Sequence, residues 1–188
     1  MQNTFFLKEV MANAQKKVSF VMLSAKQIKE TLFGLIKEYS MQQKVIIVVS
    51  FFTPISEIKS VFGGGHIYFV DCTQGNENLE SDNMLVTNPA DLTGIMVFID
   101  SIDQNVPGEK IILFDSLNMM EVYNEQKKIG RFMHSFSNKI RLRENTLILM
   151  TVKDSTENKT IELFKQFSDK SYDYSSLFIS AIASVETK

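Results

Sequence analysis

Residues 110–118, Lys-Ile-Ile-Leu-Phe-Asp-Ser-Leu-Asn, set four consecutive apolar side chains ahead of an acid and a small hydroxyl. A run without polar alternation is unsuited to a half-solvated sheet and suits a parallel strand covered on both faces. An acid closing such a strand is delivered to the carboxyl edge, where ligands bind in open α/β sheets. Lys44–Ser50 and Thr146–Val152 are two more runs of the same kind.

Between these runs the pattern changes to the helical period. Residues 4–16 carry Phe5, Phe6, Val10 and Ala14 with Asn3 or Thr4 as a cap, and residues 25–39 align Ile28, Leu32, Leu35, Ile36 and Tyr39. Further helices are expected from Thr53-Pro54 to Phe62 (Thr capping, Pro in the first turn), from Asn88-Pro89 to about 102, over 122–142 and around 160–167. Gly63-Gly64-Gly65 stops one helix, and residues 73–83 form the most polar loop. Strands are expected at 18–23, 44–50, 66–71, 110–115, 146–152 and 174–182. Strands separated by helices predict a three-layer α/β/α sandwich around a mostly parallel sheet. No repeat or linker divides the chain, so residues 1–188 read as a single domain, with a helix at 1–16 ahead of a core at 18–182.

Composition excludes several classes. A chain of 188 residues buries roughly 70% of its unfolded surface without staples. A net charge of -2 gives no whole-protein field for nucleic acid or anionic lipid, so nucleic acid is not an expected partner. The single Cys72 forms no internal disulfide, and His66 and His134 match no metal-ligand spacing, so no metal is expected. With neither a signal peptide nor a run approaching the roughly 20 residues of a membrane span, a cytoplasmic location away from membranes is expected.

A phosphate-binding enzyme of this class carries a glycine-rich loop after its first strand, because backbone N–H groups must converge on phosphate where side chains obstruct. This chain reads Leu23-Ser24-Ala25-Lys26-Gln27-Ile28-Lys29-Glu30-Thr31, and no glycine occurs between Met1 and Gly34. Lys29 and Thr31 echo the lysine and hydroxyl of such a loop. The plainer reading makes Lys26 and Lys29 solvated residues of a first helical turn.

From about residue 18 to 180 the chain resembles a RecA-type ATPase core of the KaiC-like family, common in archaea and cyanobacteria. The resemblance rests on Ile46–Ile58 for the second strand and its helix start, and on Ile111-Ile-Leu-Phe-Asp115-Ser116-Leu117 for the Walker B strand. Asn88-Pro89-Ala90-Asp91-Leu92 resembles the helix start before that strand, and Thr146–Thr151 the later sensor strand. It implies a P-loop NTPase-type sheet in which 18–23 lies inside, beside 145–152, with 110–115 between 145–152 and 44–50. It also implies self-association.

The departures from the family concern chemistry. Where relatives carry acids before the Thr-Pro, this chain has Phe51 and Phe52, whose rings can neither accept a proton nor tolerate a magnesium–phosphate charge cluster. The glycine-rich segment before the first strand is replaced by the helix at 4–16. Asp115 remains, either as a vestigial magnesium acid or as a strand-end Asp that caps a turn or pairs with a lysine; Ser116 lacks a base and reads as a turn residue. A degenerate, non-catalytic ATPase acting as a regulatory or assembly scaffold through protein contacts is therefore expected, with no cofactor. Its partner is another protein or a second copy. Phe51 and Phe52 are core residues or an interaction surface. The rival enzyme reading keeps ATP and magnesium on Lys29, Thr31 and Asp115. A third reading, a nucleic-acid accessory protein of the recombinase-paralogue type, uses the basic helix with Lys127, Lys128, Arg131, Lys139, Arg141 and Arg143, whose plainer role is a solvated outer face. Cys72 reads as a packed thiol after the third strand.

Overall fold

A computed structural model describes residues 2–62, 66–73, 79–81 and 83–176. The chain runs α1 (Gln2–Ala14), β1 (Val18–Leu23), α2 (Ala25–Met41), β2 (Val45–Ser50), α3 (Ile55–Val61), β3 (Ile67–Asp71), β4 (Leu79–Ser81) and β5 (Met84–Val86). It continues through α4 (Leu92–Asn105), β6 (Lys110–Phe114), α5 (Asn118–Tyr123), α6 (Gln126–Leu142), β7 (Thr146–Val152), a 3-10 turn (Lys153–Ser155), α7 (Asn158–Phe167) and β8 (Lys170–Asp173).

The sheet order is β4-β5-β3-β2-β6-β7-β1-β8, parallel throughout except for β4, which runs antiparallel to β5. As expected, β1 lies inside, between β7 and β8, and β6 lies between β7 and β2. The apolar runs explain the layering, because successive side chains point to opposite faces. Val49, Phe114, Leu149 and Phe20 face α4, α5, α6 and α7. Val48, Leu113, Ile148 and Val21 face α1, α2 and α3. Each fully buried side chain of this kind contributes about 1.5–3 kcal/mol. After α1, α2 and α6 the chain turns back to the sheet through a left-handed residue, Lys16 (φ 56), Gln43 (φ 55) and Glu144 (φ 53).

Several local expectations are corrected. Asn88-Pro89 opens a turn rather than a helix: Asn88 Oδ1 accepts from the Ala90 N–H (2.8 Å), and α4 starts after Asp91, whose side chain accepts from the Gly94 N–H (2.8 Å). The long helix at 122–142 is two helices, broken where the Asn124 amide donates to the Pro89 carbonyl (3.0 Å). Thr53 makes no cap, and Pro54 stands at that position. β4 within the polar loop and β5 just after it add two three-residue strands too short to show a period. The last described strand is β8, polar and mostly exposed at the edge of the described sheet, and residues 174–176 of the strand expected at 174–182 form no strand. The Gly63–Gly65 stop, residues 74–78 and 82 of the loop, and residues 177–182 lie outside the described residues.

Candidate functional site

Parallel pairing sets Val49 against Phe114 and Phe114 against Leu149, so the residues that follow emerge together at the carboxyl edge. Asp115 is the first of these on β6 and is completely buried. Its Oδ1 accepts from the N–H groups of Phe51 (2.6 Å) and Phe52 (3.2 Å), and its Oδ2 from the Thr53 N–H (2.8 Å). Ser50 Oγ lies 2.7 Å from the same Oδ2. Asp115 thus closes the turn between β2 and α3 by satisfying N–H groups that have no strand partner. Burial pushes its carboxyl above the usual carboxylate range, and the bonds from Ser50, Thr53 and Phe51 oppose that shift. All four donors are neutral, and Lys29 and Thr31 are not among them. Beyond Asp115, Ser116 adopts a left-handed conformation (φ 43), and Leu117 N–H bonds to the Met150 carbonyl (2.9 Å). Ser116 is therefore a turn residue.

The other half of the expected nucleotide site is not assembled. Between the end of β1 at Leu23 and the start of α2 at Ala25 there is one residue, Ser24. Its N–H donates to Gln27 Oε1 (2.7 Å), and Gln27 Nε2 donates to the Tyr174 carbonyl (3.1 Å). A buried glutamine and the chain after β8 thus occupy the end of the helix, where a phosphate loop requires several residues of open backbone. Lys29 lies in the second turn of α2, paired with Glu57 of α3 and placed over the Phe33 ring. Thr31 is buried within the helix. The three residues do not meet. A magnesium–triphosphate group of the kind the resemblance implies finds neither a loop nor a free carboxylate here.

The two phenylalanines separate. Phe51 is 4% exposed and packs in the core, 6.2 Å from Phe114 between ring centroids, so it offers nothing to a partner. Phe52, the next residue, is 61% exposed. At the same edge, Val122 and Tyr123 at the end of α5 are also exposed, at 67% and 50%. Cys72 is buried, and burial, with smaller contributions from Asp115, Asp71 and Asp91, pushes its thiol up, so it stays a packed, unreactive thiol.

The basic residues of α6 are largely used within the chain. Lys128 donates to the Ala90 carbonyl (2.6 Å), Lys139 and Arg143 pair with Asp100, and Arg141 pairs with Asp169. Ion pairs thus neutralise the cations at the end of α6 and just after it, whereas Lys127, Lys128 and Arg131 in its first half are exposed and make no ion pair among the described residues. Among the described residues no helix is long and apolar enough to cross a membrane.

Sequence reasoning missed Ser50 and Gln27. Ser50 had a signal, since two neighbouring strands end in polar residues at the same register. Gln27 had one for its bond to Ser24, the Ser-x-x-Gln spacing of a capping box, and none for its bond to Tyr174, 147 residues away.

No known protein family matches the chain, and no curated protein matches its sequence. A solved structure from Pyrococcus horikoshii OT3, described only as a structural-study target, is similar in fold. It is 10% identical, with a TM-score of 0.61, covering 88% of this chain and 85% of that one. The likeness extends to the α/β architecture and no further.

Proposed function

We propose that this chain is a non-catalytic relative of the RecA-type, KaiC-like ATPases that works in the cytoplasm as a regulatory or assembly scaffold through protein contacts. The observation that carries the reading is the one-residue connection from β1 to α2, which leaves no backbone to cradle phosphate. The strand order is the one the resemblance implied, and the surviving acid is spent on the turn at Ser50–Thr53. With the reactive edge given over to structure, the exposed Phe52, together with Val122 and Tyr123, is left for contact with a second copy or another protein.

A thermal-shift titration with magnesium-ATP tests the first half of this reading. Saturation at a hundredfold excess over Kd adds about 2.7 kcal/mol of stability, a shift that is easily seen. No shift and no turnover above background are expected. A saturable shift abolished by Lys29→Ala overturns the reading in favour of residual nucleotide binding. Sedimentation over a range of concentrations tests the second half: the expected outcome is reversible self-association, or capture of a protein partner by a monomeric chain.

A further inference from the structure

Between α6 and α7 the surface falls into an open groove of about 470 Å³. The partly buried Gly130 and Leu163 form its floor, and the exposed Lys127, Lys159 and Glu162 stand along its rim. Gly130 is the residue that calls for a reason. Glycine inside a helix is destabilising relative to alanine, because it has more conformational freedom to lose on folding. Gly130 lies within the 17 residues of α6, and its φ is not positive. A Cβ there would meet Leu163 at 3.6 Å, an ordinary contact. Neither the backbone nor the packing inside the chain requires glycine at this position. Its missing side chain instead deepens the groove and lets another backbone approach α6 closely.

Charge along the groove is one-sided. Glu157 pairs with Lys159 (2.8 Å) and Glu162 with Lys165 (2.8 Å), so the acids at the groove are already matched. Lys127 and Arg131, one helical turn apart, are exposed and make no ion pair among the described residues. In a chain of net charge -2 this is a local excess of cations. A partner bearing carboxylates completes ion pairs here, whereas a basic partner meets only acids that already have a lysine. Nucleic acid fits less well, because Glu162 faces its phosphates and no aromatic residue lines the groove for base stacking. A helix laid between two helices packs its ridge into their groove, and a glycine in the floor brings it close. We propose that the α6–α7 groove docks a helix of another protein, whose acidic side chains meet Lys127 and Arg131 and whose backbone closes over Gly130. The inference gives the scaffold reading a partner of stated chemistry and rests on it; the magnesium-ATP titration tests that reading separately.

The test is an amide NMR titration of the full chain with a helical peptide of Glu, Ala and Leu, its glutamates on one side. The same peptide with lysine in place of glutamate, and a single-stranded oligonucleotide, serve as comparisons. Saturable shifts are expected at residues 127, 130, 131, 159 and 163 with the acidic peptide, with binding that weakens as salt rises. Lys127→Glu is expected to weaken binding about fivefold, the combined effect of a lost exposed ion pair and a like-charge contact. Gly130→Ala is expected to weaken it as well while making the chain more resistant to urea, so that the loss cannot come from unfolding. No saturable shift at these residues overturns the proposal. So does equal or tighter binding of the lysine peptide or the oligonucleotide there, or unchanged affinity in both variants.

Discussion

The Ser50 hydroxyl lies 2.7 Å from Asp115 Oδ2 and 2.6 Å from the Thr53 carbonyl, so one proton stands between two acceptors if Asp115 is ionised. With Asp115 protonated, its Oδ2–H donates to Ser50, and Ser50 donates onward to Thr53. This agrees with the upward push of burial on the Asp115 carboxyl from its ordinary 3.8. A folded-state value above the unfolded one means that the folded chain holds the proton more tightly. The stabilisation is therefore fully present below about pH 4 and is lost as pH rises through the folded value. Urea unfolding from pH 4 upward, compared with Asp115→Asn as a non-titrating reference, is expected to show the wild-type advantage shrinking with pH. An advantage that grows with pH means that the N–H donors outweigh burial.

Asp115→Asn is expected to be destabilising by about 1–3 kcal/mol at neutral pH, the range for a buried group left without its partner. Whichever way the amide is turned, its NH2 meets an N–H, that of Thr53 or that of Phe51, where the carboxyl accepted both. Far-UV circular dichroism should keep its helical form, and no ATPase activity should be gained or lost. A variant as stable as the wild type means that the turn at Ser50–Thr53 does not rely on this carboxyl.

Architecture was legible because it is written in runs. Val45–Ser50, Lys110–Phe114 and Thr146–Val152 are buried along their whole length, so each declares itself as an inner strand without help from its neighbours. The edges were not legible for the complementary reason. Lys170–Asp173 is mostly solvated and resembles a loop, and Met84–Val86 is too short to carry a period. Asp115 was visible as a strand-end acid, but its role was decided by Ser50 and by three backbone groups that have no sequence signature. The Phe51–Phe52 pair shows the same limit: adjacent identical residues take opposite environments because the turn at Asp115 sends one ring inward and the other out.

Two helical glycines should respond in opposite directions. A Cβ at Gly130 would meet Leu163 at 3.6 Å, an ordinary contact, so Gly130→Ala is expected to gain about 0.5–1 kcal/mol by restricting the unfolded chain. A Cβ at Gly94 would lie 2.3 Å from the Asp91 carboxylate that caps α4. Gly94→Ala should therefore cost about 1 kcal/mol, the usual effect of losing such a cap. Urea midpoints measure both; a gain at Gly94 means the cap can shift without loss.

The neighbouring phenylalanines separate packing from recognition. Phe51 packs against Phe114 in the core, so Phe51→Ala should cost about 3–5 kcal/mol. Phe52 is mostly in solvent, so Phe52→Ala should stay within about 0.5 kcal/mol of the wild type. An exposed ring loses roughly 25 cal/mol per Å² left uncovered, and that loss is recovered only if something covers it. Phe52→Asp puts a charge where a covering partner would have to bury it, which is unfavourable without a counter-charge. We expect a folded variant with an unchanged far-UV spectrum whose self-association or partner binding is weakened in sedimentation. Loss of folding in Phe52→Asp would place the ring in the core with Phe51. Intact folding with intact association moves the contact face away from the carboxyl edge and removes the main support for a scaffold built on it.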